Sequence, residues 1–142
     1  MTDMADGLDP QETEEVLQIV TSYFRKVTKS EEEAQQLLQA LAHAVQDEGA
    51  KLVHLGDYVF LVLVRGKGVV EIHTMGDTTN PRAFARSLQE LANYLRGVGV
   101  TTAYTYAEDK RFLKLAKMVD LDVEQYQSSV NGKPVNVFLV KL

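Results

Sequence analysis

Residues 58–64 constrain the fold of this chain more than any other segment, because all seven are apolar. A strand with one solvated face alternates apolar and polar side chains, so an unbroken apolar strand is expected to be buried on both faces. Burial on both faces requires a covering layer on each side of the sheet. The segment therefore predicts a layered domain with helices on both faces of a central sheet.

Further strands are indicated by runs of β-branched and aromatic residues between turn signals. Gly56-Asp57 and the glycine-rich residues 65–68 are links of hairpin length, which predicts an antiparallel meander around the apolar segment. Asn131-Gly132 is the strongest short hairpin signal in the chain. The predicted strands are residues 51–55, 58–64, 69–75, 101–106, 123–130 and 134–140.

Four helices are predicted from capping residues followed by apolar residues at helical spacing. They begin after Asp9-Pro10, Ser30, Asn80-Pro81 and Asp109. A strand, a helix and a strand in succession around residues 69–106 predict a right-handed crossover between parallel strands. Residues 1–8 are predicted to be a flexible tail and residues 9–142 a single domain.

Composition excludes several classes of function. Apolar residues make up 45% and charged residues 25% of the 142 residues, as in an ordinary soluble domain. No apolar run approaches the roughly 20 residues needed to span a bilayer. The chain has no cysteine, which excludes disulfides, thiolate metal sites and cysteine nucleophiles. A net charge of −5 makes nucleic-acid binding an unfavoured function.

The order of elements over roughly residues 10–142 resembles the GCN5-related N-acetyltransferase (GNAT) family. This resemblance implies an α/β fold with a mixed, mostly antiparallel twisted sheet and helices on both faces. In that family the strands matching residues 69–75 and 101–106 splay apart, and the gap between them holds acetyl-CoA. The helix after Asn80-Pro81 would border this gap.

The sequence departs from the family where the cofactor pyrophosphate is bound. The family places glycine-rich backbone amides at the start of a helix, because such amides bind phosphate. Residues 75–82 hold one glycine, Gly76, together with the carboxylate of Asp77 and the amide-free Pro81. Ala116 also stands where the family often has a tyrosine acid. These departures favour a catalytically degenerate protein without a cofactor, acting through protein–protein contacts or self-association.

The chain also resembles small, degenerate acetyltransferase-like proteins of tailed phages. This resemblance implies a virion-associated or assembly component, located in the cytoplasm of a bacterial host or in the virion. The alternative function is an acetyl-CoA-dependent N-acetyltransferase. In that alternative Glu71 would be the catalytic base, and the residues around the cofactor would be Thr74, Gly76, Arg82 and Arg86.

Five polar side chains on predicted strands are candidates for chemistry. Glu71 and His73 are two residues apart on a strand and therefore project to the same sheet face. A carboxylate beside an imidazole can remove a proton from an amine. The alternative is a pair of polar residues on a partly covered face. Tyr104, on a neighbouring strand, would either donate a proton or pack, and Tyr106 and Tyr126 share this ambiguity.

No metal site is predicted from the histidines. His43, His54 and His73 come from a helix and two strands, without the spacing of metal ligands. The lysine- and arginine-rich helix after Asp109 is predicted to be a solvated helix rather than a nucleic-acid interface.

Overall fold

The computed structural model describes residues 10–76, 80–107, 118–119 and 121–142. Within these ranges the helices are α1 (Pro10–Val27), α2 (Glu31–Asp47) and α3 (Pro81–Gly97). The strands are β1 (Lys51–Leu55), β2 (Tyr58–Gly66), β3 (Val69–Gly76), β4 (Thr102–Ala107), β5 (Asp122–Val130) and β6 (Lys133–Lys141). The strands follow the predicted order and differ from the predicted bounds by at most two residues at either end.

The six strands form one sheet in the order β1-β2-β3-β4-β6-β5. β3 and β4 are parallel and are connected through α3, which confirms the predicted crossover between parallel strands, and its right hand stays a prediction. β1 pairs antiparallel with β2, and β6 pairs antiparallel with both β4 and β5. The sheet is therefore mixed and mostly antiparallel, as expected. Asn131 and Gly132 both have positive φ values, of 53° and 79°, which is the conformation that a tight hairpin turn requires.

The chain divides into two compact units. The first spans residues 1–63 and 74–78, and the second spans residues 64–73 and 79–142. In the first unit, α1 buries one residue per turn and packs with residues of α2, β2 and β3. The buried members of this core are Val16, Val20, Phe24, Ala34, Val59 and Met75. The spacing of the three α1 residues is the helical period that predicted the element.

The start of α2 is stabilised by its predicted capping residues. The side chain of Ser30 accepts a hydrogen bond of 3.1 Å from the Glu33 amide. Glu33 in turn accepts a hydrogen bond of 3.1 Å from the Lys29 amide, one residue earlier than the usual capping box. Arg25 at the end of α1 forms an exposed ion pair of 3.1 Å with Glu31. The turn between the two helices is therefore defined by local side-chain contacts.

In the second unit, the buried interior combines one sheet face with the apolar side of α3. Val70 of β3 pairs with Ala103 of β4, which pairs with Val140 of β6, so all three side chains share that face. The helix begins at Pro81 after the N-cap Asn80, as predicted. Its buried residues are Phe84, Ala85, Ser87, Leu88, Leu91, Ala92 and Leu95.

One expectation about the apolar strand is wrong at its end. Tyr58, Val59, Phe60 and Val62 are buried, but Val64 is 67% exposed. The last three residues of β2 run out to the hairpin turn, where they are exposed. The apolar run in the sequence therefore predicts a longer buried stretch of β2 than the structure has.

Two other predicted segments lie outside the described residues: the tail at residues 1–8 and most of the helix after Asp109, including Ala116. That residues 9–142 form a single domain stays a prediction. In the part of the chain that the structure describes, no helix has the length and apolar character needed to cross a membrane.

Candidate functional site

The parallel ladder between β3 and β4 is short. It joins three residue pairs, and the last of them is Glu71 with Tyr104. Beyond this pair β4 stays in register with β6 as far as Ala107, whereas Ile72 and His73 of β3 continue without a partner in the ladder. The two strands therefore separate directly after Glu71, and the separation places side chains of β3 and β4 at the start of an opening in the sheet.

A polar cluster occupies the point of separation. Glu71 is only 8% exposed, and its carboxylate accepts hydrogen bonds from three neighbours. Arg65 Nε and Tyr104 Oη each lie 3.2 Å from Oε1, and the ring Nε2 of His73 contacts Oε2. We refer to these four residues, Arg65, Glu71, His73 and Tyr104, as the Glu71 cluster. Each of the other three residues thus contacts the one buried carboxylate.

The cluster keeps Glu71 ionised. Burial raises the pKa of Glu71, but the hydrogen bonds from His73 and Arg65 lower it by more, so the pKa lies below its ordinary value. The positive charge of Arg65, and that of His73 when its ring is protonated, act in the same direction. The bond to Glu71 raises the pKa of Arg65. Burial, followed by the negative charge of Glu71, raises the pKa of Tyr104. Tyr104 is therefore a poor proton donor, which argues against the acid role considered for it from the sequence.

Strand register extends the same sheet face away from the cluster. Tyr106 is paired with Val137 on β6, which is paired with Tyr126 on β5, so the three side chains form one row across the sheet. The ring of Tyr106 lies edge-on to Tyr104, with centroids 5.8 Å apart. Tyr126 Oη donates a hydrogen bond to Glu124, a partly exposed residue. The tyrosines flanking the cluster are thus half exposed and pack against strand neighbours.

The predicted base, Glu71, and its neighbour His73 do lie on one face and in contact, as the strand period indicated. Arg65 was missed. It lies near the end of β2, and its proximity to Glu71 depends on the register of the β2–β3 hairpin. If the two strands had been aligned across their hairpin at the sequence level, Arg65 would have been found close to Glu71.

Two predicted cofactor residues, Thr74 and Gly76, lie at the end of β3 in the first unit. Gly76 has a φ of 138°, and a Cβ added there would lie 2.8 Å from the carbonyl oxygen of Asp57 and 3.0 Å from the ring of Tyr58. This glycine is therefore required by the close approach of the β1–β2 turn, whether or not a ligand is bound. Its role toward a cofactor stays a prediction.

The other two, Arg82 and Arg86, are exposed and one turn apart on the first half of α3. Asn80 Oδ1 already accepts a hydrogen bond of 3.2 Å from the Ala83 amide, and Pro81 has no amide proton. The start of α3 therefore offers few amides to a phosphate, and the two guanidinium groups are its main cationic donors. Their role toward a cofactor also stays a prediction.

The described residues contain no group of three or more His, Asp or Glu side chains arranged to hold a metal ion. His43, one of the three histidines considered from the sequence, forms exposed contacts with Asp47 of α2 and with Glu48, the residue that follows the helix.

The sequence matches no family model and no curated protein. Solved structures with the same fold do exist. A spermidine N-acetyltransferase SpeG mutant from Vibrio cholerae aligns with a TM-score of 0.62 at 9% identity, over 94% of this chain and 92% of that one. A structure described as a putative ribosomal-protein-serine acetyltransferase from Vibrio cholerae aligns with a TM-score of 0.59 at 14% identity, over 95% and 91%.

A Bacillus subtilis acetyltransferase in complex with CoA aligns with a TM-score of 0.50 at 13% identity, over 71% of this chain and 82% of that one. At these identities the likeness establishes the fold and nothing further about this chain. The GNAT-like fold expected from the order of elements is thereby confirmed. These three structures are described as acetyltransferases, and none is described as a phage protein.

Proposed function

We propose that this protein is an acetyl-CoA-dependent N-acetyltransferase. The observation that carries the proposal is the separation of β3 and β4 directly after Glu71, with a complete cluster of ionisable side chains at that point. In the fold family the gap between these two strands receives the acyl donor. A catalytically degenerate protein has no need of a buried, ionised carboxylate there, and a buried charge is unfavourable unless it is paired.

The chemistry requires a proton acceptor beside this gap. An alkyl amine is mostly an ammonium ion at neutral pH, since its pKa is about 10, and only the neutral amine attacks a thioester. The Glu71 cluster supplies acid–base groups on β3 and β4, and His73 is half exposed beside the buried carboxylate. The cluster therefore provides what proton removal needs without a metal or a nucleophilic side chain.

The residues present fit the acyl donor by charge rather than by a glycine-rich loop. Arg82 and Arg86 present two guanidinium groups on one side of α3, a suitable donor set for a pyrophosphate. The amides at the start of this helix contribute less, because Asn80 caps one and Pro81 lacks one. We therefore propose that Arg82 and Arg86 bind the pyrophosphate. A contact of Thr74 or Gly76 with the acyl donor stays a prediction from the sequence.

The first test is a calorimetric titration of the protein with acetyl-CoA and with CoA. We expect a dissociation constant in the micromolar range, corresponding to about −8 kcal/mol. Turnover would then be followed by the appearance of the free CoA thiol, with spermidine and with a short peptide carrying an N-terminal serine as acceptors. These acceptors represent the two kinds of substrate named for the similar structures.

The absence of binding heat up to about 1 mM acetyl-CoA, a concentration at which even a weak complex of about −4 kcal/mol would be detected, would contradict the proposal. That result would favour the degenerate function, in which the domain acts through contacts with another protein or with a second copy of itself.

A further inference from the structure

The lone pairs of Glu71 are largely occupied. An ionised carboxylate has about four acceptor positions on its two oxygens. Oε1 accepts from both Arg65 and Tyr104, each at 3.2 Å, and Oε2 is contacted by His73. A carboxylate held by three donors has a low affinity for a further proton, because the donors stabilise its charged form.

Access to a substrate also differs between Glu71 and His73. The side chain of Glu71 is 10% exposed and that of His73 is 45% exposed. A general base must come within hydrogen-bond reach of the proton it removes. Between the two members of this pair, the imidazole is therefore the one that an acceptor amine can approach.

The contact between the two side chains determines which ring nitrogen is available. Ionised Glu71 can only accept hydrogen bonds, so the ring nitrogen Nε2 of His73 must carry the proton that it shares with Oε2. In a neutral imidazole the other nitrogen, Nδ1, then has a free lone pair. Among the residues that the structure describes, none forms a hydrogen bond with Nδ1.

We propose that His73, through Nδ1, is the general base of the acetyl transfer, and that Glu71 is a positioning residue that fixes the imidazole tautomer. This inference rests on the proposed N-acetyltransferase function. Arg65 and Tyr104 act one step further back, because they neutralise and orient the carboxylate. In this arrangement a carboxylate orients a histidine base, as in catalytic triads. Here the two residues are two positions apart on one strand.

The transfer balances in protons and bonds. Nδ1 of His73 takes one proton from the acceptor ammonium and later releases it to solvent. The neutral amine nitrogen forms a bond with the acetyl carbonyl carbon, and the bond between that carbon and sulfur breaks. The leaving sulfur takes a second proton from the same nitrogen. The net reaction converts ammonium and thioester into amide, thiol and one released proton.

Several charged and titratable groups among the described residues share the sheet face of His73 or contact Glu71, including Glu124 of β5, which pairs with Leu139 opposite Tyr104. Glu71 on the same strand, Arg65 on β2, and Tyr104 and Tyr106 on β4 belong to the same sheet face or contact the carboxylate. Burial and the charge of Glu71 raise the pKa of Tyr104, so this phenol stays neutral near neutral pH. A general base acts only when it is unprotonated, so we expect kcat to fall at acidic pH in the wild type and not in the His73 variants.

The inference is tested by comparing kcat for the wild type, His73→Gln, His73→Ala and Glu71→Gln at saturating acetyl-CoA and acceptor. We expect both His73 variants to lose at least about 100-fold in kcat, which is the lower range of general-base contributions. The acid limb of the pH profile should disappear with them, and added imidazole should partly restore His73→Ala. Acetyl-CoA affinity should change less than about twofold, because the base does not hold the acyl donor.

His43→Gln is the matched control, because His43 is also an exposed histidine paired with a carboxylate, but on α2. It should leave kcat unchanged. If His73→Gln retains kcat within about threefold of the wild type while Glu71→Gln loses it, the roles are reversed and His73 is not the base. Retention of kcat in both would place the base elsewhere.

A nitrogen-detected NMR measurement of the His73 tautomer separates this inference from the proposed function. We expect the neutral ring to carry its proton on Nε2 in the wild type and to become a mixture in Glu71→Gln. A wild-type ring protonated on Nδ1 would overturn the inference even in an active enzyme. A wild type that neither binds acetyl-CoA nor transfers acetyl groups would overturn the proposed function, and the assigned role with it.

Discussion

Tyr104 Oη donates a hydrogen bond of 3.2 Å to Glu71 Oε1 at the last residue pair that joins β3 to β4. The same carboxylate oxygen accepts a second bond from Arg65 Nε of β2. Three strands of the sheet therefore meet at one oxygen atom. The sheet opens directly beyond it, so this contact has both a structural and a functional consequence.

Removing the phenolic hydroxyl should weaken the end of the ladder. In Tyr104→Phe, Glu71 keeps its charge but loses one donor, and we expect the free energy of unfolding to fall by about 1–2 kcal/mol. Chemical denaturation at neutral pH measures this change. Tyr106→Phe is the control, because Tyr106 is 41% exposed and should change stability by less than about 0.5 kcal/mol. Equal effects of the two variants would show that the bond to Glu71 contributes nothing.

Stability should depend on pH through Glu71. Its pKa is lower in the folded chain than the value of about 4.3 expected in the unfolded chain. The stabilisation is therefore fully present above the unfolded value and is lost as the pH falls from about 5 through the folded pKa. Compared with the wild type, Glu71→Gln should show a flatter decline of unfolding free energy below pH 5.

Glu31→Gln provides the comparison for that measurement. The hydrogen bond from Arg25 lowers the pKa of Glu31, but both side chains are exposed, so solvent screens their interaction. Its effect on the slope should be clearly smaller. Parallel curves for the wild type and Glu71→Gln would mean that the cluster does not hold the carboxylate ionised.

Alanine at position 76 should destabilise the protein in the absence of any ligand. The backbone φ of 138° and the distance of 2.8 Å to the Asp57 carbonyl both disfavour a Cβ. We expect Gly76→Ala to lose about 2 kcal/mol or more in denaturant unfolding. Gly97→Ala is the matched control, since a Cβ there meets nothing within 4 Å and the residue ends α3. It should be neutral or slightly stabilising.

The two arginines of α3 should affect ligand affinity and not folding. Arg82→Ala and Arg86→Ala are each expected to weaken acetyl-CoA binding about tenfold, which corresponds to about 1.4 kcal/mol for one lost charge-assisted contact. The wild-type affinity should fall with added salt. Arg96→Ala, at the opposite end of the same helix, should bind acetyl-CoA normally. Unchanged affinity in the first two variants would remove them from the phosphate site.

Much of the fold follows from short-range patterns. Ser30 with Glu33 placed the start of α2, Asn80-Pro81 placed the start of α3, and Asn131-Gly132 placed the last hairpin. Each of these signals acts through contacts within four residues, so it is readable without knowledge of the rest of the chain. The shared face of Glu71 and His73 was predictable for the same reason, because side chains alternate with a period of two on any strand.

The order of elements, summed over the chain, was also sufficient to indicate the fold. The meander, the crossover and the terminal hairpin leave few ways to arrange the six predicted strands and four predicted helices, because short connections and right-handed crossovers exclude most topologies. The glycine content of residues 75–82 was a poorer guide to cofactor binding. Gly76 was considered for its ligand, whereas its backbone angle and its contact with the β1–β2 turn already require glycine.

The sequence by itself thus determined the elements, their order and the pairing of two polar residues on one strand. Only the tertiary structure decided which other residues donate hydrogen bonds to the Glu71 carboxylate. They are Arg65 and Tyr104, which lie 6 and 33 residues away in the sequence. The tertiary structure also decided that the β3–β4 ladder stops at Glu71. The physical reason is register: which residues face each other across strands depends on hairpin geometry and on packing against α3, and no local pattern records either.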